Sequence, residues 1–406
     1  MSPDLIDTGQ ARPPALHRDI GGVYLANAIA AFIFAASGPV AIIFAVGTKG
    51  GLSEADLASW VFGAFFVNGL ITVAFSLWFR QPLVFFWTIP GTVLVGPALA
   101  HATFPEVIGA FLVAGVMMTA LGVAGLVGRT MAAVPMPIVM GMVAGVFLQF
   151  GIDWIKAFQT DLAIAGLMTL TYVAIAAVPV VARRVPPLIA ALAAGFALAY
   201  AAGEFAPAVE LSASVAAPKL HTPVLDLSVL IELVVPLVIT VLVVQNGQGV
   251  AALTAAGHRP PVDAIATACG LGSIVVAMCG TVSTCLTGPV NAIISSGGEL
   301  RRQYAAGVVV GCLAVVFGLF APLFTRVLLA APPAFIATLA GLAMLNVLRA
   351  AFATAFQGRH GLGALISFLV TVAGMPILNI GAPFWGLLCG YMLSRLLEPQ
   401  DYAAPA

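Results

Sequence analysis

From Gly21 to Leu397 the chain is a succession of apolar runs, divided by short stretches that carry Arg, Pro or Gly. Most runs are close to the roughly 20 residues that an α-helix needs to cross a hydrocarbon core. In lipid every backbone N–H and C=O has to be satisfied internally, so long unbroken apolar runs fold as membrane-spanning helices. Composition agrees: hydrophobic residues make up 61% of the 406 and charged residues 8%, against roughly a quarter charged in soluble domains. That balance excludes a soluble enzyme, a disordered regulator and a nucleic-acid binder. Sixteen Lys+Arg offset sixteen Asp+Glu, leaving no basic footprint for a polyanion.

Residues 1–20 are a polar arm with Arg12, His17 and Arg18, and the run that follows is too long for the core of a signal peptide. It is expected to be a retained first span. Spans are placed near 21–46, 57–79, 83–100, 105–127, 135–152, 162–182, 186–203, 228–250, 262–278, 279–296, 304–325, 333–351, 362–380 and 382–397. With the N-terminus inside, Arg12, Arg18, Arg80, Arg129, Arg183, Arg184, Arg259, Arg301, Arg302, Arg349, Arg359 and Arg395 fall on the cytoplasmic side. Lys49, Lys156, Lys219 and Arg326 fall outside. This is the asymmetry the positive-inside rule demands. The fold class is therefore an all-α polytopic membrane protein with fourteen transmembrane segments, both termini cytoplasmic, in a bacterial-type inner membrane. The five cysteines lie in apolar segments without a CxxC pair and read as small apolar fillers.

The second half echoes the first. Thr92, Leu94, Gly96, Pro97 and Ala100 match Thr284, Leu286, Gly288, Pro289 and Ala292 at an offset of 192 residues, and Gly115 and Gly122 match Gly311 and Gly318 at 196. Seven spans per half is an odd number, so the second copy enters the membrane from the opposite side. Inverted repeats of this kind are the architecture of secondary transporters, with the site near the midplane where the repeats meet.

Spans three and ten are the short, interrupted pair that such a site needs. In span three the aromatic and β-branched stretch Val84–Thr88 meets Pro90-Gly91, after which Thr92 is expected to cap a half-helix. In span ten Thr281 and Val282 are extended-type residues and Ser283-Thr284 a cap pair. Two half-helix N-termini meeting at mid-membrane bring unpaired N–H groups and partial positive charge to one place, an anion site that needs no Lys or Arg. Span eight adds three amides, Gln245, Asn246 and Gln248. They are expensive in an apolar span unless used, and Gln245 and Gln248 are expected on one helix face. Ser37 is the hydrogen-bonding side chain of the related stretch in span one, and Phe34, Phe86 and Trp87 can supply an aromatic wall. The competing readings are ordinary Pro/Gly kinks and interhelical polar contacts. The sequence places no ionisable residue clearly at the middle of a span; Glu232 sits toward the outer end of span eight, and His101 and Glu106 at span ends. Catalytic, metal-ligand and phosphate-loop patterns are absent, so neither an enzyme nor a cofactor is expected.

Pro90-Gly-Thr, the Gln245-Asn-Gly-Gln-Gly stretch and Gly280-Thr-Val-Ser-Thr followed by Thr287-Gly-Pro-Val-Asn291 resemble the benzoate–proton symporter (BenE) family over essentially the whole chain. More distantly, the layout resembles nucleobase–cation symporters and sulfate-permease anion transporters. The resemblance implies a core domain (21–128 and 228–327) and a gate domain (129–204 and 328–397), with an N-terminal arm 1–20, an external loop 205–227 and a tail 398–406. It implies a small aromatic carboxylate and protons as partners besides the lipid bilayer, with a homodimer common in the fold family. It implies a substrate site at Gly91, Thr92, Thr281, Ser283, Thr284, Gln245, Asn246, Gln248, Ser37, Phe34 and Phe86. The uracil-type relatives carry carboxylates in spans eight and ten, where this chain has Gln245-Asn246 and Cys285-Leu286. Neutral amides suit an anionic substrate but leave the proton without an obvious carrier. The alternatives are a carrier of another small anion or nucleobase on the same fold, or an anion channel.

Overall fold

The structure is a computed structural model that describes residues 16–128, 135–182, 185–204, 215–378 and 380–403. Its named elements are α1 (Gly22–Ala36), α2 (Gly38–Lys49), α3 (Glu54–Phe79), β1 (Phe85–Trp87), α4 (Ile89–Leu99), α5 (Phe104–Val123), α6 (Met136–Thr160), α7 (Leu162–Ala176), α8 (Pro187–Ala201), α9 (Leu227–Ala255), α10 (Val262–Met278), β2 (Thr284–Leu286), α11 (Gly288–Ile294), α12 (Tyr304–Leu319), α13 (Ala321–Leu329), α14 (Pro333–Phe356), α15 (Gly361–Ala373) and α16 (Ala382–Leu397). Among the described residues seven helical runs are long and apolar enough to cross a membrane: Gly22–Lys49, α3, α5, α6, α9, Leu300–Leu319 and α14. Shorter apolar helices stand at α4, α7, α8, α10 and α15.

Two expected spans are divided. Span one breaks at Ser37, whose backbone leaves the helical region (φ −97°, ψ −98°), with Pro39 opening the second segment. Span eleven ends at Leu319, and α13 continues as a separate short helix. Its Arg326 reaches Glu54 at the start of α3 (2.9 Å). Wide π turns interrupt α3 at Gly63–Val67 and α9 at Thr240–Gln245. Such turns re-aim the side chains that follow them.

Small residues set the helix spacing. A Cβ on Gly69 of α3 would lie 2.8 Å from the Gly311 carbonyl of α12, and one on Gly270 of α10 would lie 2.3 Å from the Thr119 amide of α5. The α3–α12 and α5–α10 contacts are thus reciprocal between the two halves of the chain. α6 and α14 pack along their length, and α15 meets α6 at Gly141, where a Cβ would stand 2.3 Å from the Ala364 carbonyl. Close approach of this kind is what drives helix association when lipid is as apolar as the side chains. Residues 215–226 run as a strap over the helix ends. Ala216 donates to the Leu319 carbonyl, Lys219 to the Ser59 hydroxyl, His221 to the Met278 carbonyl and Val224 to the Pro105 carbonyl. Lys219 (2.8 Å) and His221 (3.1 Å) also meet Asp56. Burial beneath the strap holds the His221 imidazole below its ordinary value, against the opposing pull of Asp56.

Candidate functional site

β1 and β2 pair antiparallel, Phe85 with Leu286, Phe86 with Cys285 and Trp87 with Thr284. Flanking bonds run from the Thr88 amide to the Ser283 carbonyl and from the Thr287 amide to the Val84 carbonyl. A two-stranded ribbon has two bare edges, and within a membrane those edges have to be satisfied by side chains. On the β1 side Thr72 Oγ1 both accepts from the Phe85 amide (2.9 Å) and donates to its carbonyl (3.1 Å), and Ser76 donates to the Leu83 carbonyl. On the β2 side Ser273 Oγ accepts from the Thr284 amide (3.0 Å) and Asn246 Oδ1 from the Leu286 amide (2.8 Å). Asn291 closes the ribbon end, accepting from the Val84 amide and donating to the Val84 carbonyl (3.0 and 2.9 Å).

The half-helices begin at positions other than those expected. α4 starts at Ile89, and its N-cap is Thr88, which accepts from the Gly91 amide (3.1 Å). Thr92 lies inside the first turn, its hydroxyl donating to the Thr88 carbonyl. In the second half Ser283 and Thr284 precede or form the strand, and the N-cap is Thr287, ahead of α11. The structural register between the halves is therefore 199 residues, Thr88-Ile89-Pro90 answering Thr287-Gly288-Pro289, rather than 192. The expected cap residues are displaced because proline occupies the first turn of each half-helix, where its missing N–H is harmless, so the cap precedes it.

Several expected site residues are engaged in holding the framework. Asn246 is used by β2, Thr284 Oγ1 donates to Asn68 Oδ1 (2.8 Å), and Thr281 Oγ1 donates to the Trp60 carbonyl (2.8 Å). Ser37 donates to the Phe34 carbonyl (3.1 Å). Gly91 is packed between Thr88 and Leu237. Gln245 is buried at the end of the π turn, whereas Gln248 is exposed and lies over Gly288, so the two amides have different surroundings.

Phe34 and Phe86 do come together, in a small cleft lined also by Pro39, Trp87, Ile89 and Thr287. Among the described residues nothing meets the hydrogen-bond geometry of two polar groups here, Trp87 Nε1 and Thr287 Oγ1, on residues 2% and 5% exposed. Ser283 Oγ, close by in sequence, is likewise buried and unpartnered. Thr287 was not singled out from the sequence as a site residue; the Thr-x-Pro pattern it shares with Thr88 is the signal that identifies it. The cleft holds about 10 Å³, room for one water. One turn along α4 a second cavity opens, about 410 Å³, between α2 and α4 on one side and α6, α15 and the start of α16 on the other. That size is within the range of small-molecule sites. At its rim Lys49 and Asp153 form an ion pair, with Gln149 donating to the same carboxylate.

A family model described as "Benzoate membrane transport protein" matches residues 21–396. The chain belongs to the BenE benzoate membrane transport family. It is 30% identical over 384 residues to "Inner membrane protein YdcO" of Escherichia coli K12, covering 93% of this chain and 97% of the relative. It is 28% identical over 379 residues to the benzoate membrane transport protein of Acinetobacter baylyi, covering 91% and 94%. Its fold is that of the transmembrane domain of a cyanobacterium bicarbonate transporter, BicA (TM-score 0.64, 18% identity, 92% of this chain and 97% of that one). Murine Solute Carrier 26 family member A9, an anion transporter, shares it as well (TM-score 0.63, 13% identity, 93% and 68%). The BenE chain is thus a multi-pass transporter of the inner membrane and not an enzyme.

Proposed function

We propose that this BenE protein imports benzoate or a similar small aromatic carboxylate together with protons. The observation that carries the reading is the cleft between the ribbon and the break in span one. The cleft is shut to about the volume of one water, and its apolar wall of Phe34, Phe86 and Pro39 suits a ring when it opens. The unpartnered indole N–H of Trp87 and hydroxyl of Thr287 are donors that a carboxylate satisfies. A buried donor without a partner costs about 1–3 kcal/mol, and an anionic acceptor recovers that and more. α11 has only seven residues, so these two side chains, rather than its dipole, carry the recognition. The aromatic lining favours an aromatic acid over an inorganic anion.

The same reading arranges the chain as fourteen spans in two inverted repeats, with both termini cytoplasmic. Antiparallel pairing of β1 with β2 and the reciprocal α3–α12 and α5–α10 contacts support the inversion. The core domain comprises 21–128 and 228–327, and the gate domain 129–204 and 328–397. The 410 Å³ cavity lies between them, on the side that the arginine distribution makes external, and leads toward the shut cleft. A carboxylate of this kind titrates near 4 and arrives as an anion, against a membrane potential that opposes it by about 2.3 kcal/mol per 100 mV. A co-transported proton cancels that term.

The test is counterflow of labelled benzoate in proteoliposomes, scored against protein-free vesicles because benzoic acid itself crosses lipid. Saturable exchange that is lost in Thr287→Val and Trp87→Phe is expected. Exchange that these two variants leave untouched would move the site elsewhere.

A further inference from the structure

The wall of the 410 Å³ cavity includes His101, and behind it lies a buried acid that the aromatic cleft does not use. Glu232, in α9, is 3% exposed, and the groups that face its carboxylate are the His101 imidazole and the Gly381 backbone. His101, just past the end of α4, places Nε2 3.2 Å from Oε2, and its own side chain lines the cavity, 22% exposed. On the other flank stands Gly381, the N-cap of α16. A Cβ there would lie 2.2 Å from Glu232 Oε1, so the gate-side backbone closes on the carboxylate as only glycine can. Pro236, one turn on, has no N–H to donate to the Glu232 carbonyl.

A charged carboxylate in this setting is unfavourable, because burial removes its hydration and one imidazole edge and one backbone group stand in its place. One proton resolves the conflict, on the carboxyl or on the imidazole; the pair then titrates as a unit and is neutral when loaded. Other charged groups nearby are already engaged. Asp226, the N-cap of α9, is held by Ser228 and the Val229 amide, and it acts on His101 from a distance. Glu106 of α5 accepts from the Thr103 amide, and Lys49 and Asp153 across the cavity satisfy each other. The first turn of α16, Ala382 to Trp385, brings no ionisable side chain. Among the described residues His101 is the one basic group within ion-pair reach of Glu232.

We infer that the His101–Glu232 pair is the proton-binding site of the transport cycle, loaded from the cavity through His101. This rests on the symport reading above. An anion in the cleft and a bare Glu232 carboxylate repel each other, and a proton on the pair removes the repulsion. Each ligand therefore favours the other, as linkage requires. One proton moved with one carboxylate leaves the cycle electroneutral.

The experiment compares counterflow at equal pH with uptake driven by an inward proton gradient, as protein-dependent initial rates of labelled benzoate. Wild-type protein showing no counterflow would sink the substrate reading itself. With counterflow present, Glu232→Gln is expected to keep it within about threefold while losing gradient stimulation by tenfold or more. His101→Gln is expected to fall in the same direction. Gradient stimulation of Glu232→Gln equal to wild type overturns the inference. If Glu232→Gln does not fold, His101→Gln decides on the same criterion. A third readout needs no variant: benzoate added to the purified wild-type protein in weakly buffered detergent should draw about one proton from solution per benzoate bound, and binding without proton uptake also overturns the assignment.

Discussion

The two strand–half-helix segments occupy equivalent places, yet they are built differently. The first is closed on itself: Thr88 caps α4, Thr92 bonds back to Thr88, and α4 runs for eleven residues. The second is open at its cap: Asn291 bonds back to the Thr287 carbonyl as Thr92 does to Thr88, but Thr287 makes no capping bond, its hydroxyl has no geometric hydrogen-bond partner among the described residues, and α11 stops after seven residues. The ribbon joining them is satisfied on both edges by Thr72, Ser76, Ser273, Asn246 and Asn291. The comparison separates two uses of polar residues in a membrane. One set is consumed by backbone and makes the frame; the other is left unsatisfied and is available to a ligand.

The largest effect is expected from removing a frame residue. Asn291→Ala strips the Val84 amide of its acceptor, at about 1–3 kcal/mol for a buried group left bare, and leaves the Val84 carbonyl to the Thr287 amide alone. The protein should lose its monodisperse peak on size exclusion in detergent. A variant that stays monodisperse with an unchanged thermal midpoint would break the division between frame and site. The next effect falls on the open segment. Thr287→Val removes a hydroxyl that neither caps α11 nor serves the ribbon, so stability should hold, while the KM for benzoate exchange rises about tenfold or more, as for a lost hydrogen bond to a charged group of about 1.5–3 kcal/mol. Trp87→Phe should behave alike. Thr88→Val should do the reverse: the loss of a cap, about 1 kcal/mol, lowers the thermal midpoint and leaves the KM for exchange nearly unchanged. If Thr88→Val and Thr287→Val prove interchangeable, the asymmetry has no functional meaning.

The smallest effect lies outside the spans. Burial pushes the His258 imidazole below its ordinary value of 6.5, its Nε2 paired with Gln303 Oε1 at 2.7 Å. The folded chain therefore holds the neutral ring, while the unfolded chain takes up a proton first as the pH drops. This contribution to stability is complete above 6.5 and declines as pH falls from there through the folded value. Thermal midpoints measured from pH 7 to pH 5 should slope less in His258→Gln than in wild type.

Much of this was legible in the sequence. Apolar runs marked the helices, and Pro90 and Pro289 marked the interrupted pair. Phe86 and Trp87 beside Pro90, and Phe34 in span one, stand out in the sequence as candidates for an aromatic wall. The caps lie at Thr88 and Thr287 rather than at the expected Thr92 and Ser283-Thr284, because a proline in the first turn puts the cap ahead of it. Asn246 and Thr284 looked like ligand groups because the sequence does not reveal which backbone edge needs an acceptor: the Leu286 amide that uses Asn246 is forty residues away. Glu232 illustrates the same limit. Its place toward the outer end of span eight does not reveal its burial, to which His101 and Gly381, both distant in sequence, contribute.

The ribbon also bears on how such a protein changes over generations. The contact that ties span three to span ten is made by main-chain atoms, so it is indifferent to which side chains Phe85 to Trp87 and Thr284 to Leu286 carry. Apart from Thr284, whose hydroxyl is tied to Asn68, those positions can be exchanged with the registration of the two halves preserved, provided that the residues serving the edges stay. A transporter assembled this way can acquire a new cargo by substitution at a few strand and cap positions, without having to relearn how to fold.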